Sequence, residues 1–474
     1  MPVLLISTYD LGRQPFGLAS PAAWLRAAGE EVECVDASRD PLTDEQIGKA
    51  ALVAFYLPMH TATRLAGPLI DRVRATNRAA NIAAYGLYAP LNAAWLRGRG
   101  VAHVLGAEAE AELVALAKSQ IPDREPRIPN AESRIPNPGS RIPRLDFVQP
   151  DRSTLPPLHR YAALQMPDGT RRVVGSTEAT RGCKHLCRHC PIVPVYRGAF
   201  RAIPLDVVLA DVRAQVAAGA EHISFGDPDF FNGPRHAQRL IERLAAEFPG
   251  ITYDVTIKIE HLLRHAELLP LLRDTGCLFI TSAVESIDDG VLERLRKGHT
   301  RADFVRAVEL CRTARLILSP TFVPFTPWTT VAGYCDLLDE LESLALVDAV
   351  APIQLGIRLL VTAESALLEL ADLRAALEPF DAASLTWPWQ HHDTAVDRLQ
   401  RAVMATVATM SGRPRAEVFA AIANLAREAS GVKRSTPTRP TACASSCCGS
   451  HAAVPHLTEA WYCCAEPAPN DAGI

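Results

Sequence analysis

The chain has 474 residues, of which 48% are hydrophobic and 22% are charged, and its formal net charge is −4. This length allows two or three domains with a substantial core and excludes a disulfide-stapled mini-protein. The composition is that of an ordinary globular protein, so bulk electrostatic binding of nucleic acid is not expected. The N-terminus lacks the basic segment of a signal peptide, and no window approaches a membrane span. We therefore expect a cytoplasmic protein with neither a membrane nor a nucleic-acid partner.

Residues 1–118 alternate short apolar strands with helical patterns. Five buried strands are predicted, at residues 3–7, 31–36, 52–56, 81–85 and 101–105. Ser20 and Pro21 predict the N-cap and the first turn of a helix over residues 22–28. This α/β alternation predicts a doubly wound, Rossmann-like parallel sheet, whose ligand would lie at the carboxyl ends of the strands.

Residues 119–150 differ sharply in composition from the segments on either side. Residues 127–133 are nearly repeated as residues 134–140, and each copy begins with the letters RIPN. Proline at this frequency excludes a continuous helix or an inner strand. The sequence therefore predicts a semi-extended linker between two domains.

Residues 151–360 again alternate strands with helices. Six strands are predicted, at residues 173–179, 222–225, 251–257, 278–283, 318–323 and 350–355. Six helices are predicted beside them, at residues 205–218, 234–248, 262–274, 288–296, 302–314 and 331–344. Six such units predict a partial, TIM-like (β/α)6 barrel with functional residues at the C-terminal ends of its strands. Residues 361–430 are predicted to be mostly helical, and residues 431–474 to form a tail that is flexible except where something holds it.

Three cysteines follow the first strand of this second region at close spacing. Cys183, Cys187 and Cys190 form a Cys-x3-Cys-x2-Cys pattern. In a reducing compartment, clustered cysteines indicate metal binding or catalysis rather than disulfides. Three thiolates can hold three irons of a [4Fe–4S] cluster and leave the fourth iron open. A zinc site completed by His185 or His189 is the alternative.

This spacing, at the start of a barrel-like run of strands and helices, resembles the radical S-adenosylmethionine (SAM) superfamily over about residues 170–360. The resemblance implies that the open iron binds SAM. One electron would then cleave the sulfonium, usually giving a 5′-deoxyadenosyl radical that abstracts hydrogen from a substrate. It also implies a cellular electron donor such as flavodoxin or ferredoxin, and a dry barrel interior that protects the chemistry.

The same resemblance implies a set of SAM-binding residues at the ends of the barrel strands. These candidates are Gly226, Asp227, Pro228, Glu285, Ser286 and Thr321, with Gln354 and Arg358 as further pocket residues. Residues 226–228 stand where relatives place a Gly-Gly-Glu segment that receives the amino group of SAM, although this chain has a single glycine there. A plain turn at 226–228 and a solvated helix N-terminus at Glu285 are the competing interpretations.

A doubly wound domain before such a barrel resembles the cobalamin-binding domain of one branch of the superfamily. The Asp-x-His-x-x-Gly motif of other cobalamin domains is missing, because residues 10–14 after the first strand contain no histidine. Many cobalamin-dependent radical SAM enzymes resemble the chain in this respect. The resemblance therefore leaves both cobalamin binding and a purely structural domain open.

Five of the twelve cysteines lie near the C-terminus, namely Cys443, Cys447, Cys448, Cys463 and Cys464. Soft thiolates favour thiophilic metals, a further iron–sulfur cluster or trivalent arsenic. An adjacent pair can also cycle through a disulfide or present a thiol to an active site. The letters CCAEP at residues 463–467 resemble the ending of the CUAEP/CCAEP-tail radical SAM proteins, some of which carry selenocysteine in this motif.

The resemblance to the tail family implies that Cys463 and Cys464 are reactive residues. The leading prediction is a radical SAM transferase that moves a SAM-derived carbon group, or a methyl group, to a substrate held by these thiols. Arsenite, another metalloid or a selenium compound is the expected substrate. The alternatives are a cobalamin-dependent methyltransferase of a small molecule and a thiol-based metal or metalloid sensor or carrier.

Overall fold

The computed structural model describes residues 2–119, 146–431 and 454–459. Most of the predicted linker, including its RIPN repeat, and all five tail cysteines lie outside the described residues. Within these ranges the chain forms an N-terminal α/β domain, a curved half-barrel domain and a helical C-terminal region.

The N-terminal domain is built on five parallel strands. These are β1 Val3–Ser7, β2 Val32–Asp36, β3 Leu52–Tyr56, β4 Asn81–Tyr85 and β5 His103–Val104. Its helices are α1 Phe16–Ala27, α2 Asp44–Lys49, α3 His60–Thr76, α4 Tyr88–Leu91, α5 Ala93–Gly98 and α6 Glu110–Lys118. The strand order is β2-β1-β3-β4-β5, and successive residues of each strand enter two apolar cores on opposite faces. The predicted doubly wound parallel sheet is confirmed.

Helix α1 begins earlier than predicted and contains Pro21 in its interior. A proline there cannot donate to the carbonyl of Gly17 four residues earlier. Tyr85 compensates, because its hydroxyl donates a hydrogen bond of 2.7 Å to that carbonyl. Ser20, predicted as the N-cap, lies inside the helix and donates its hydroxyl to Glu110 instead. The cap prediction was wrong because this long-range hydrogen bond has no signature in the local sequence.

The described residues of the second domain form nine strands, seven of which make one curved sheet. Their bounds are β6 Ala163–Gln165, β7 Arg171–Thr177, β8 Thr180–Gly182, β9 Phe200–Ala202, β10 His222–Phe225, β11 Thr252–Thr256, β12 Cys277–Glu285, β13 Ile317–Phe322 and β14 His456–Leu457. The sheet order is β13-β12-β11-β10-β7-β6-β14. Strands β7 and β10 to β13 run parallel, whereas β6 and β14 are antiparallel additions at one edge. Strands β8 and β9 form a separate antiparallel pair.

Helices cover the outer face of this half-barrel. They are α7 Ile192–Tyr196, α8 Leu205–Ala217, α9 Pro234–Glu247, α10 Ile259–Arg264, α11 Leu269–Asp274, α12 Asp289–Arg294, α13 Arg301–Thr313 and α14 Val331–Ser343. The largest core cluster lies between these helices and the strands. The helix predicted at 262–274 is divided into α10 and α11, with Pro270 in the first turn of α11. On the inner face, Leu164, Val174 and Phe279 form an apolar floor.

The strand predicted at residues 350–355 is not a strand. Pro352–Leu355 form a short 3-10 helix, and a single parallel bridge between Phe325 and Arg358 is the contact that continues the sheet. The described half-barrel therefore has five parallel strands rather than the six predicted. A short apolar run cannot by its pattern be distinguished from a buried helical turn, which is why this prediction was wrong.

The C-terminal region contains α15 Ala371–Arg374, α16 Thr394–Thr409 and α17 Arg415–Ala429. The prediction of a mostly helical segment holds from Thr394 onward. Residues 361–393 contain a 3-10 helix at Ala366–Glu369, the four-residue α15 and turns, and Pro379 and Pro388 interrupt any longer helix. Among the described residues, no helix combines the length and the apolar character needed to cross a bilayer.

Residues 454–459 belong to the predicted flexible tail, yet they form part of the sheet. Strand β14 pairs with β6, so that Leu457 lies opposite Leu164, and the backbone N–H of Thr458 donates to Ala163. Leu457 also packs against the apolar floor of the half-barrel. This segment is thus a place where the tail is held, and the pairing with a distant strand that holds it is not visible in a local sequence.

Candidate active site

Three cysteines share the loop between β8 and α7, beyond the carboxyl end of β7. Cys183 and Cys187 are buried, and Cys190 is half-buried. Burial raises the pKa of Cys183 to about 11, so this thiol keeps its proton until a metal ion replaces it. The donor set fits three irons of a [4Fe–4S] cluster and leaves one iron for another ligand.

The shape of this loop depends on Gly182 and Asn232. Gly182 has a φ of 77°, and a Cβ atom there would lie 2.5 Å from the carbonyl oxygen of Ala199. A side chain is therefore excluded by conformation and by space. Asn232 accepts a hydrogen bond from the backbone N–H of Lys184 and donates one to the carbonyl of Gly182. The loop is thus held against the segment that follows β10.

The two histidines of the loop contact carboxylates. His189 Nε2 lies 3.0 Å from Glu285 Oε1, and His185 Nε2 lies 3.2 Å from Asp229 Oδ2. Both histidines are therefore engaged by acidic residues of other strand ends. This arrangement argues against a zinc site in which either histidine joins the three cysteines.

Gly226, Asp227 and Pro228 follow β10 directly, at the position predicted for the segment that receives the amino group of SAM. Asp227 is buried, and its two carboxylate oxygens accept hydrogen bonds from the backbone N–H of Ala179 and the hydroxyl of Thr180, at 2.9 and 2.6 Å. Burial raises the pKa of Asp227 to about 7. The structure therefore gives Asp227 a bracing role between β10 and β8, and its contact with SAM stays a prediction.

Glu285 ends β12 with a left-handed φ of 69°, which costs a residue with a side chain about 1–2 kcal/mol. Burial alone would raise its pKa, but Lys297 and His189 outweigh burial and lower the pKa of Glu285 to about 2. Lys297 Nζ lies 3.4 Å from Glu285 Oε1. The competing interpretation of a solvated helix terminus is wrong, because this buried carboxylate connects the cysteine loop with β12.

Lys258, Lys297 and His299 are buried beside this carboxylate, and the sequence analysis missed all three. Burial, together with the charges of the two lysines, lowers the pKa of His299 to about 3. Neither ring nitrogen of His299 has a hydrogen-bond partner among the described residues. A neutral imidazole with two unused nitrogens can donate one hydrogen bond to a ligand and accept another. In the sequence, the basic run at residues 296–299 is the feature that could have indicated Lys297 and His299 as site residues.

Thr321 and Ser286 differ in what they can offer a ligand. Thr321 on β13 is buried opposite Ala283, and its hydroxyl has no partner among the described residues. This hydroxyl fits the predicted pocket role. Ser286 accepts a hydrogen bond from the backbone N–H of Asp288, just before α12. It therefore stabilises the start of that helix, and its contact with SAM stays a prediction.

Gln354 and Arg358 were predicted to line the pocket from a sixth strand, which the structure lacks. Gln354 instead accepts a hydrogen bond from the backbone N–H of Phe322. Arg358 forms an ion pair of 2.6 Å with Asp397 and lies over the ring of Trp389. Gln354 therefore attaches the 3-10 helix to β13, and Arg358 attaches the C-terminal region to the half-barrel.

The acid sensitivity of the half-barrel is expected to depend on His299. A histidine with a pKa of about 3 in the fold and about 6.5 when unfolded favours unfolding as the pH falls through 6.5. Between pH 7 and pH 5 this difference removes about 2 kcal/mol of the free energy of unfolding. His299→Gln should lose less stability over that interval than the unsubstituted protein, measured as the urea midpoint at both pH values. Equal losses in both proteins would contradict a neutral buried His299.

The carboxyl edge of the N-terminal sheet meets the half-barrel at Arg181. This buried guanidinium donates hydrogen bonds to Glu110 at 2.6 Å, Glu178 at 3.0 Å and Ser20 at 3.2 Å. Burial alone would raise the pKa of Glu110, but Arg181 and Ser20 lower it. The crevice predicted to hold a ligand of the N-terminal domain is therefore crossed at this point by ion pairs.

The segment that leads to the tail cysteines is attached near the first loop of the N-terminal domain. Glu459 accepts a hydrogen bond of 2.5 Å from the hydroxyl of Tyr9 and lies 3.7 Å from Arg39. Cys463 and Cys464 follow a few residues later and lie outside the described residues. Their predicted catalytic role therefore stays a prediction.

Comparison with known proteins identifies the half-barrel. Residues 177–327 match the model of the radical SAM superfamily. Over 142 residues the chain is 28% identical to the ribosomal protein uS12 methylthiotransferase RimO of Parabacteroides distasonis, covering 28% of this chain and 32% of the relative. Over 133 residues it is 29% identical to the bacteriochlorophyllide d C-12(1)-methyltransferase of Chlorobaculum tepidum, covering 27% of this chain and 28% of the relative. These matches therefore span about a third of the length of the curated relatives.

Two solved structures share the fold over more of the chain. The cobalamin-dependent SAM radical enzyme OxsB has a TM-score of 0.63 at 13% identity, covering 90% of this chain and 71% of its own. The radical SAM methyltransferase TsrM from Kitasatospora setae has a TM-score of 0.57 at 19% identity, covering 72% of this chain and 71% of its own. Residues 177–327 thus form a radical SAM domain, an enzyme domain that uses a [4Fe–4S] cluster and SAM.

Proposed function

We propose that this chain, which contains a radical SAM domain, is a transferase that moves a SAM-derived carbon group or a methyl group to a substrate held by Cys463 and Cys464. The observation that carries the proposal is β14. This strand attaches the chain just before the two cysteines to the seven-stranded sheet, whose strand β7 leads into β8 and the cysteine loop. A thiol-bound substrate would then be tethered to the domain that activates SAM.

Different residues of the half-barrel would bind the cluster, contact the ligand and exclude water. Cys183, Cys187 and Cys190 would hold the [4Fe–4S] cluster, which supplies the electron that cleaves SAM. Neutral His299 and the hydroxyl of Thr321 offer unused hydrogen-bonding atoms to the bound ligand. The apolar floor keeps water away from the inner face of the half-barrel, which protects radical species formed from SAM.

The substrate class follows from the chemistry of the tail. Adjacent thiols are soft ligands, so arsenite, another thiophilic metalloid or a selenium compound is the substrate we propose. An electron donor such as flavodoxin or ferredoxin would complete the system.

The test is anaerobic reconstitution with iron and sulfide, followed by incubation with SAM, a reductant and arsenite or selenite. Mass spectrometry should detect deoxyadenosine or methylthioadenosine and a new product that contains arsenic or selenium. SAM cleavage without any such product would contradict the proposed substrate class. A complete cluster without SAM cleavage would contradict catalysis altogether and favour the metalloid sensor or carrier.

Attachment of the tail through β14 predicts a specific defect for Thr458→Pro. Proline removes the backbone N–H that donates to Ala163, so β14 should detach from β6. Loss of a tether removes the gain in effective concentration, so product formation should fall by about 100-fold. SAM cleavage should persist, because β14 contributes little of the core.

Thr458→Ser is the matched control, because it keeps both the backbone N–H and the hydroxyl that accepts from Ala163. Rates of deoxyadenosine and product formation are measured for both variants. An unchanged product rate in the proline variant would show that β14 does not deliver the tail.

Methyl transfer with cobalamin on the N-terminal sheet is a second candidate. The ion pair of Arg181 with Glu110 places the carboxyl edge of this sheet against the half-barrel, and OxsB, which shares the fold, is described as cobalamin-dependent. The loop after β1 offers no histidine ligand, so a corrin there would bind without one from that loop. Stoichiometric cobalamin after reconstitution would support this candidate, and failure to retain any would contradict it.

A further inference from the structure

His185, Asp229 and His261 meet at one point beside the cysteine loop. Their ligand atoms all lie within 4.8 Å of one another. His261 Nδ1 and His185 Nε2 approach the same carboxylate oxygen, Asp229 Oδ2, at 2.7 and 3.2 Å. Asp229 and His261 are buried, with exposed fractions of 0% and 3%. Three side chains from three different segments therefore converge on one small volume.

None of these three atoms has a partner in hydrogen-bond geometry among the described residues. Their lone pairs lie close enough together for one ion to bind all three. The buried pair of His222 and Asp254 shows the contrast within the same sheet. His222 Nε2 lies 2.9 Å from Asp254, and its Nδ1 lies 2.9 Å from Thr252, so both nitrogens are satisfied. Both nitrogens of His222 thus have partners, whereas the atoms of His185, Asp229 and His261 that face one another have none among the described residues.

The surroundings orient the three ligand atoms. Asp229 Oδ1 accepts a hydrogen bond from the backbone N–H of Phe231, which leaves Oδ2 for the two imidazoles. His185 Nδ1 lies 3.5 Å from Glu260, while its Nε2 faces Asp229. A histidine that binds a metal through one nitrogen and contacts a carboxylate through the other is the usual arrangement around protein-bound zinc.

We propose that His185, Asp229 and His261 bind one divalent ion of the zinc class, separate from the iron–sulfur cluster. Two imidazoles and one carboxylate are a common ligand set for zinc, and three protein ligands leave a fourth position open. Ligands about 2.0–2.1 Å from a tetrahedral ion are about 3.3 Å apart, so the spacings here need small adjustments. The open position would take an oxygen or sulfur atom of a substrate. The site does not depend on the identity of the transferred group.

The experiment uses the full-length protein with its cluster reconstituted and its five tail cysteines changed to serine, so that tail thiols do not bind zinc. The protein is incubated with Zn²⁺, desalted, and analysed for zinc content and by X-ray absorption at the zinc edge. One zinc per chain with nitrogen and oxygen ligands at about 2.0–2.1 Å is expected. No retained zinc, or zinc with sulfur at about 2.3 Å, would overturn the proposal.

Asp229→Asn tests whether zinc binding can be removed without disturbing the fold. Asparagine keeps the oxygen that accepts from Phe231 and removes the anionic ligand, so zinc should be lost while the cluster still forms. Glu260→Gln should weaken zinc binding by about 10–100-fold, as loss of an outer carboxylate does. His265→Gln is the matched control, because His265 packs against His261 without belonging to the cluster. Zinc retained by Asp229→Asn, or lost equally from His265→Gln, would contradict the assignment.

Discussion

Cys187→Ala is expected to abolish assembly of the iron–sulfur cluster and to reduce SAM cleavage below detection. Cys187 is buried in the loop that holds the other two cysteines, and a cluster bound through two thiolates would have two irons without protein ligands. Cys183→Ala and Cys190→Ala should have the same effect. Iron and sulfide content and the release of deoxyadenosine or methylthioadenosine are the measurements.

Two comparisons make this result specific. Cys311→Ala removes an equally buried cysteine on α13, outside the loop, and should leave the cluster and SAM cleavage intact. The double variant Cys463→Ser/Cys464→Ser should still cleave SAM but form no thiol-dependent product. SAM cleavage that survives Cys187→Ala would contradict the radical SAM mechanism for this chain.

Arg181→Met is expected to lower the free energy of unfolding by about 3–5 kcal/mol, because it leaves two carboxylates in the junction without their cation. Glu110 is buried and paired with Arg181 at 2.6 Å, and Glu178 is paired with the same guanidinium at 3.0 Å. The junction joins the N-terminal sheet to the segment that begins the cysteine loop. Urea unfolding followed by circular dichroism and by cluster absorbance measures both consequences.

The double variant Glu110→Gln/Arg181→Met tests whether the lost stability comes from the unpaired charge of Glu110. Removing the buried negative charge together with the positive one should recover part of the lost stability, whereas two independent defects would add. Arg301→Met is the control for losing an arginine as such. The side chain of Arg301 in its ion pair with Glu340 is about half exposed to solvent. Arg301→Met should therefore lower the free energy of unfolding by less than about 1 kcal/mol. A similar cost for both arginines would contradict the importance of burial at the junction.

The parts of the site that the sequence predicts are those determined by neighbours in the chain. The loop of Cys183, Cys187 and Cys190 needs only its spacing, and strand ends such as Gly226 follow from hydrophobic patterns. Glu285 was singled out by its position after a strand, but its pairing with Lys297 was not. That pairing depends on how α12 returns the chain to the half-barrel, which is a property of packing rather than of local sequence.

The same distinction explains what was missed or wrong in the fold. The pattern of residues 350–355 fits a strand, yet the backbone there turns at Pro352. The meeting of His185 with His261 joins the cysteine loop to helix α10, which no periodicity connects. Strand β14 has two paired residues, too few for a sequence pattern to reveal. Each of these features is fixed by contacts between distant segments.

Strand β14 also imposes an order on the assembly of the protein during synthesis. Its partner residues Ala163 and Thr458 are 295 positions apart, so at about 5–20 residues per second the ribosome makes the second about 15–60 s after the first. During that interval β6 is an unpaired edge, and the floor of the half-barrel lacks Leu457. The cysteine loop has by then been synthesised. A nascent chain that stalls before β14 would therefore expose an edge prone to aggregation even though its cysteine loop is complete.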